Sequence, residues 1–327
     1  MNNYKNTTKD ITDIIRFEKC SRVKTAKIVS LLFHDITNLS IPQFVELDGE
    51  YCEIVEIGPA AFANNQVLEQ VALPPSVVTI CDYGFYGCTA LKSIQMPGVS
   101  QVGKATFASC ISLELDTINF CFGDEAFMKC ESLSSLTITE ESHLYIVPPA
   151  AFRDCKCLKD IQLPESVHSI LHEAFLGCVN LRQIVFPLKL KEVDSRAFYE
   201  CERLQTVSLN DGLERIEHRA FAKCRELSET YIPDSVNFVG EEAFCGCHSL
   251  NDIRFSANTK NIPPRCFMWC KSLEFVEIPS GVTSIGEEAF TQCQSLYYIE
   301  LPSSIVDVDA DAFDCCPAIV ERKRSSS

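Results

Sequence analysis

The sequence has no long hydrophobic run and no recognisable leader. No segment approaches the roughly 18 consecutive apolar residues that a membrane-spanning helix needs. The first residues, MNNYKNTTKDITDII, lack the basic start and the apolar stretch of a secretory signal peptide. We therefore expect a cytoplasmic protein without membrane insertion. A location at the cell surface, or secretion by a non-classical route, is the alternative.

Positive charge is scarce. The chain has 29 Lys and Arg against 45 Asp and Glu, which gives a formal net charge of −16. Such a balance argues against general attraction to nucleic acid or to anionic membranes. Residues 1–40 have seven basic and four acidic side chains, so the acidity lies in the remainder of the chain. A partner attracted by charge should therefore be basic.

Catalytic motifs are also missing. The sequence has no Gly-rich phosphate-binding loop and no G-x-S-x-G segment. His168 and His172 are four residues apart, but Ile170 between them belongs to a strand-like pattern, whereas paired metal-binding His residues at this spacing need a helix. We expect no catalytic residue, no cofactor and no metal, and we predict that the protein is not an enzyme.

A repeat dominates what is present. Twelve Phe residues recur at separations of 23, 22, 20 and 25 and then seven times 23. Three residues after the Phe stands a Cys in eleven units and Asn65 in the first, and six residues after it stands a Leu in all units but the last, which has Ile319. A fixed period of this length indicates stacked structural repeats. The Phe series is Phe62, Phe85, Phe107, Phe127, Phe152, Phe175, Phe198, Phe221, Phe244, Phe267, Phe290 and Phe313.

One unit predicts the structure of a coil. Ile161 and Leu163 are two residues apart, the period of a short strand with one buried face, and Pro164 ends that strand because it has no N–H to donate. Ala174 and Cys178 have the i, i+4 spacing of a helical turn that faces inward. We predict one short strand and one short helical turn per coil, with the apolar columns of successive coils packed on each other.

The consensus A-F-x-x-C-x-x-L-x-x-I-x-L-P-x-S-V-x-x-I resembles the BspA-type leucine-rich repeats over residues 41 to about 319. The resemblance implies a curved solenoid with a parallel β-sheet on its concave side, which binds protein partners or cell surfaces and has no catalytic residue. With the predicted helical turns, the expected fold class is an α/β solenoid.

Three segments follow from the repeat. Residues 1–57 are predicted to form an N-terminal cap of β-hairpins with a short helix, because Asp48-Gly49 separates two alternating segments. Residues 58–319 form the solenoid of about 12 coils of 23 residues. Residues 320–327 form a flexible basic and Ser-rich tail. The open last coil could pair with a second copy of the chain.

The 19 cysteines raise the alternative of a thiol-based redox or metal-binding protein. Eleven of them occupy one position of the repeat, where Cys behaves as a small buried apolar group. Zinc needs four convergent ligands, and the close pairs Cys155/Cys157 and Cys245/Cys247 each include a residue of this column. We therefore favour structural thiols.

Residues eight and ten positions after each Phe should face outward from the strands, since they alternate with buried ones. On the last four strands these positions combine aromatic rings, carboxylates and one Arg, whereas on earlier strands they are mostly small and neutral. Aromatic and Arg side chains are enriched at interface hot spots. The predicted partner-binding residues are Glu229, Tyr231, Asp252, Arg254, Phe275, Glu277, Tyr298 and Glu300.

Trp269, two residues after Phe267, is a second candidate contact, on the convex side. The leading hypothesis is a non-enzymatic scaffold for protein–protein interaction that acts through its concave face. A cell-surface adhesin or host-contact module is the alternative within the binding class.

Overall fold

The structure, a computed structural model, describes residues 10–322. It divides into two compact units, each of which is built from stacked coils. The first unit contains the residues up to 114 together with 120–131. The second contains residues 115–119 together with those from 132 onward. The division falls in the two coils of irregular length, between Phe107 and Phe152.

The first unit begins with a cap of hairpins. Helix α1 (Ile11–Ile14) leads into β1 (Ile15–Lys19), which pairs antiparallel with β2 (Thr25–Leu31). After β3 (Asn38–Ser40), a second hairpin joins β4 (Phe44–Leu47) to β5 (Glu50–Ile57). Both turn residues, Asp48 and Gly49, have positive φ, as a tight two-residue hairpin requires. The 1–57 boundary of the cap stays a prediction.

Two parallel sheets continue from this cap. The strands β5, β7 (Thr79–Ile80), β9 (Gln101–Val102) and β11 (Cys121–Phe122) pair in that order, with β2 and β1 beyond β5 and β4 also paired to β5. The other sheet joins β3, β6 (Gln70–Ala72) and β8 (Ser93–Gln95). Two successive coils thus contribute one strand to each sheet, β6 and β7 from the first and β8 and β9 from the second.

The second unit repeats this arrangement over more coils. One parallel sheet of eight strands has the order β10 (Thr117–Ile118), β12 (Ser135–Ile138), β14 (Asp160–Gln162), β16 (Gln183–Val185), β18 (Thr206–Ser208), β20 (Glu229–Tyr231), β22 (Asp252–Arg254) and β24 (Phe275–Glu277). Strands β26 (Tyr298–Leu301) and β28 (Ile319–Arg322) form a separate parallel pair. Glu140–Ser142 forms a single 3-10 turn.

The two-residue strands of the second unit build another parallel ladder. Its first part is β13 (Ile146–Val147), β15 (Ser169–Ile170), β17 (Glu192–Val193), β19 (Arg215–Ile216) and β21 (Phe238–Val239). Its second part is β23 (Asn261–Ile262), β25 (Ser284–Ile285) and β27 (Asp307–Val308). Strands β21 and β23 are not hydrogen-bonded to each other, so the ladder is interrupted there.

The predicted helical turns are wrong. In the segment around Phe175, the N–H of Leu176 donates to the carbonyl of Glu173, three residues earlier, whereas the N–H of Phe175 donates to Ala197 O of the next coil at 2.8 Å. Glu173 and Gly177 have φ of 57° and 72°, which a right-handed helix excludes. A helix would use these N–H groups internally and leave none for the neighbouring coil.

The fold is therefore a β-solenoid of stacked parallel strands and turns, not an α/β solenoid. Positive φ recurs at the residue two before Phe in every unit except the last, and at the residue two after Phe in every unit. Apart from α1 and the 3-10 turn, residues 10–322 contain no helix.

The Phe residues form the centre of the core. Their rings stack face to face, with centroids of successive rings 4.9 to 5.7 Å apart from Phe62 to Phe127 and 5.2 to 5.7 Å apart from Phe152 to Phe313. All but Phe313 are fully buried. Each ring inside a stack therefore contacts the rings of both neighbouring coils, and these contacts stabilise coils that could not fold alone.

The Cys column lies beside the rings and is a column of hydrogen-bond donors. The thiol of Cys224 donates to the carbonyl of Phe198 in the preceding coil at 3.3 Å, and eight further members of the column make the same contact. All nineteen cysteines lie among the described residues and are free. In the first coil, Asn65 instead accepts the N–H groups of Val67 and Leu68 at 2.9 and 2.7 Å.

The C-terminal boundary differs from the prediction. Val320, Glu321 and Arg322 belong to β28 and pair with β26, so they are not part of a tail. Residues 323–327 lie outside the described part of the chain. All four residues of β28 are exposed.

Candidate partner-binding face

The predicted binding residues lie on four successive strands, two on each. In β20, β22 and β24 the first and third residues are exposed while the middle residues, Thr230, Ile253 and Val276, are at most 9% exposed. The alternation along these strands therefore directs the first and third side chains outward, as the sequence predicts. Tyr298 and Glu300 have the same outward position on β26.

The register of the eight-stranded sheet places six of these residues in two rows. Glu229 stands opposite Asp252, which stands opposite Phe275. Tyr231, Arg254 and Glu277 form the second row in the same way. Tyr298 and Glu300 stand instead opposite Ile319 and Glu321 in the β26–β28 pair. The structure thus assembles six predicted residues on one sheet and places two on a neighbouring pair of strands.

Aromatic surface is prominent on this face. Tyr231, Phe275 and Tyr298 are 44%, 56% and 43% exposed, although a folded chain normally buries most of such a ring. The guanidinium of Arg254 lies 6.0 Å from the centroid of the Tyr231 ring, at the outer limit of a cation–π contact. These side chains offer large contact areas with few rotatable bonds.

A shallow depression of about 460 Å³ adjoins the aromatic residues. Its C-terminal side consists of Glu229, Tyr231, Asp252 and Arg254, all predicted site residues. Its N-terminal side includes the uncharged, outward-facing residues Gln183, Val185, Thr206 and Ser208 of β16 and β18. Sequence reasoning left these four out because they carry no charge or ring. In the sequence, the depression is indicated by the change from small outward residues on β18 to bulky outward residues on β20.

The acidic side chains of the turn segments form ion pairs, whereas two of those on the sheet face do not. On the turns, acidic side chains meet cations of the adjacent coil. Examples are Glu242 with Arg219 at 2.7 Å, Glu200 with Lys223 at 2.8 Å and Glu202 with Arg225 at 3.3 Å. Arg219 holds the pKa of Glu242 below its usual range through their hydrogen bond. On the sheet face, by contrast, Glu229 and Asp252 have no ion-pair partner among residues 10–322.

Trp269 lies in a turn segment, away from the strands of the sheet face. It occupies the position two after Phe267, with a φ of 66°, and its ring is 40% exposed. The ammonium of Lys271 lies 5.4 Å from the ring centroid. The structure therefore leaves Trp269 available at the surface, and its role in binding stays a prediction.

The buried cysteines have the environment of inert thiols. Burial raises the pKa of Cys201 and Cys224 far above the usual value, and burial also raises the pKa of Cys245 to about 11. A thiol reacts as its thiolate, so these groups are poor nucleophiles at neutral pH. Within the described residues no group of three or more His, Cys, Asp or Glu side chains is placed to hold a metal ion.

The fold and the repeat define the class of protein: this is a leucine-rich-repeat solenoid. The model for the BspA-type leucine-rich repeat region matches residues 55–147, 145–274 and 260–326, in 6 copies. The chain belongs to the BspA-type leucine-rich repeat family. Comparison with curated protein sequences finds no match.

Solved structures agree with this assignment. A leucine-rich cell surface protein from Faecalibacterium prausnitzii A2-165 is 30% identical, with a TM-score of 0.63 over 96% of this chain and 94% of that one. The pneumococcal vaccine antigen PcpA shares the fold, with a TM-score of 0.55 and 17% identity over 96% of this chain and 87% of that one. In the described part of this chain, no helix is long and apolar enough to cross a membrane.

Proposed function

We propose that the protein is a non-enzymatic module for protein–protein interaction, whose partner docks on the exposed face of β20, β22 and β24 and extends toward β26. One observation carries the proposal: Glu229 and Asp252 stand side by side in register without a cation, next to exposed Tyr231 and Phe275. Membership of a leucine-rich-repeat family supports a binding role. The placement of this face on a concave side stays a prediction.

The partner should present a basic surface. Glu229 and Asp252 stand in register on adjacent strands, whose backbones are about 4.8 Å apart, so their like charges repel each other. A Lys or Arg side chain of a partner would relieve this repulsion. The net charge of −16 also attracts a basic partner and would accelerate its association with this chain.

The depression next to these carboxylates gives the partner a place to insert a side chain. Interface hot spots are typically well-packed pockets surrounded by contacts that exclude water. Here the uncharged side chains of Val185 and Ser208 would pack against the apolar stem of a Lys or Arg, while Glu229 and Asp252 would meet its charged end.

Charge reversal tests the proposal. The double variant Glu229→Lys/Asp252→Lys and a control with the same change in net charge, Glu46→Lys/Asp211→Lys, are immobilised beside the native protein and exposed to an extract of the source cells. Glu46 and Asp211 are exposed and lie outside the sheet face. Proteins retained by the native chain and released by raised salt should be basic. They should be lost on the first variant and kept on the control. Equal capture by all three baits would contradict the assignment of this face.

A surface module is the second candidate, favoured by the description of the F. prausnitzii relative as a cell surface protein. Fractionation of the native cell with an antibody to the chain separates it from the cytoplasmic location that the sequence predicts. Detection on intact cells would establish the surface location. Self-association through exposed β28 stays a prediction that sedimentation analysis can test.

The alternative of a thiol-based redox or metal-binding protein lacks such support, because most cysteines of the chain are buried.

A further inference from the structure

The interruption between β21 and β23 has an identifiable cause. In the neighbouring coils, Gly240 N–H donates to Ile216 O at 2.8 Å, and Gly286 N–H donates to Ile262 O at 2.9 Å. The equivalent position between them is Pro263, which has no N–H. The carbonyl of Val239 therefore loses its donor, and the ladder opens at this step.

The opening leaves backbone groups of both kinds without protein partners. Elsewhere in the ladder Asn237 N–H donates to Glu214 O at 3.0 Å, and Thr283 N–H donates to Lys260 O at 2.8 Å. Across the gap, no described residue accepts the N–H of Lys260, and none donates to the carbonyl of Asn237. Two acceptors, the carbonyls of Asn237 and Val239, thus lie on the β21 side and one donor, the N–H of Lys260, lies on the β23 side. Asn237 and Lys260 are exposed, so these groups are open to water or to a ligand.

A cavity of about 300 Å³ fills this gap. The gap is short, because backbone hydrogen bonds join the two coils again directly after it. The N–H of Glu242 donates to Pro264 O at 3.1 Å, and the N–H of Phe244 donates to Cys266 O at 3.0 Å. An inserted strand would have to separate β21 and β23 to about twice the usual 4.8 Å. The gap therefore suits one compact ligand and not an extended peptide.

The lining side chains define the chemistry of that ligand. One face of the Phe238 ring is covered by the guanidinium of Arg215, 4.3 Å from its centroid, and the ring is 39% exposed. Asn261 accepts hydrogen bonds from Ser284 Oγ at 2.7 Å and Thr283 Oγ1 at 3.3 Å, while its amide nitrogen has no acceptor among the described residues. The lining combines an aromatic surface, an amide donor and both kinds of backbone group.

Charge does not favour an ion at this place. Lys260 and Glu241 both line the cavity, and Glu241 is held by Arg265 at 3.2 Å. A neutral ring with hydroxyl groups fits better, since each hydroxyl both donates and accepts. We propose that the gap between β21 and β23 is a binding site for a neutral saccharide. The sugar ring lies against Phe238, and its hydroxyl groups bridge the unpaired backbone groups of the two strands.

Saturation-transfer NMR on the full chain tests this site with the methyl glycosides of glucose, galactose, mannose and N-acetylglucosamine as probes. At least one should bind with a dissociation constant in the millimolar range, as expected for a single ring in an open site. Phe238→Ala should weaken that glycoside about tenfold by removing the stacking surface. Asn261→Asp should also weaken it, because the donor is replaced by an acceptor. Phe275→Ala, an exposed aromatic change on the other sheet, is the matched control and should leave binding unchanged.

Three results would overturn the proposal: no signal from any of the four glycosides, unchanged binding in Phe238→Ala, or equal weakening in Phe275→Ala. The melting temperature of each variant shows that it is folded. Because Phe275 belongs to the face assigned to the protein partner, loss of partner capture without loss of glycoside binding separates this site from the proposed function.

Discussion

Replacing Phe221 by Ala removes a ring from the centre of the stacked column. Phe221 is 1% exposed, and its ring lies 5.3 Å from that of Phe198 and 5.5 Å from that of Phe244, with interplanar angles of 1° and 9°. Truncation of a buried Phe costs about 3–5 kcal/mol, through lost burial and the cavity that remains. We expect the upper part of this range, because contacts with both neighbouring coils are lost.

Two other Phe residues give the matched comparisons. Phe313 ends the column, has a single stacked ring neighbour, Phe290, at 5.4 Å, and is only partly buried. Phe313→Ala should therefore cost about half as much, roughly 2 kcal/mol. Phe275 is 56% exposed on the sheet face, and its replacement by Ala should change stability by no more than about 0.5 kcal/mol.

The assay is equilibrium unfolding in urea, followed by far-UV circular dichroism and by the fluorescence of Trp269. Repeat arrays can lose cooperativity, so a free energy of unfolding is taken only where the two transitions coincide. The ordering Phe221 above Phe313 above Phe275 follows from the number of ring contacts and from burial. If Phe221→Ala is no more destabilising than Phe275→Ala, then the stacked rings do not hold the coils together.

Two predictions concern pH. Burial raises the pKa of the column thiols, so their stabilising effect is complete below the unfolded value of about 8.5 and is lost as pH rises toward the folded values. The free energy of unfolding, from urea melts under reducing conditions, should fall above that pH. Removal of one titrating group by Cys224→Ala should lessen the slope by up to about 1.4 kcal/mol per pH unit, and an unchanged slope would contradict thiol burial. Arg219 lowers the pKa of Glu242, so this pair stabilises the fold above the unfolded value of about 4.3, and the effect is lost as pH falls through the lower folded value. Arg219→Gln should cost about 1 kcal/mol at pH 7 and much less at pH 3, whereas an equal cost at both would show that the ion pair is not responsible.

The buried half of the fold follows from the repeat alone. The positions of Phe, Cys and Leu return at one interval, and side chains that return together must share a core if the coils stack. The structure places these columns inside, and the family predicted from the same pattern is confirmed. The alternation of short strands likewise identified the outward residues of β20, β22 and β24.

The helical turn was predicted wrongly because two structures share one apolar spacing. Ala174, Phe175 and Cys178 face inward whether the segment is a helix or a series of β-turns. The distinguishing signal was the residue two after Phe, which is Gly87, Gly177 and Gly246 in three coils and Asn64 in the first. These residue types tolerate positive φ, and a helix interior disfavours them.

Two features of the candidate sites depend on neighbours in space and were not visible in one repeat. The depression exists because small outward residues on β16 and β18 adjoin larger ones on β20 and β22. The interruption at β23 depends on a missing N–H. The effect of Pro263 can be recognised only when the equivalent residues, Gly240 and Gly286, are known to donate backbone hydrogen bonds to the preceding coil. Both follow from comparing the same position between coils.

In-register stacking turns each position of the repeat into a line of side chains about 4.8 Å apart, so the electrostatics of a surface depend on how charge varies along such a line. Two before Phe, Arg219, Glu242, Arg265 and Glu288 alternate in sign, and their charges are used within the fold. Eight after Phe, Glu229 and Asp252 repeat one sign, which adds no stability to the array. A charge that the fold does not neutralise is available to another molecule. The sheet face is therefore the surface on which this solenoid should select a partner.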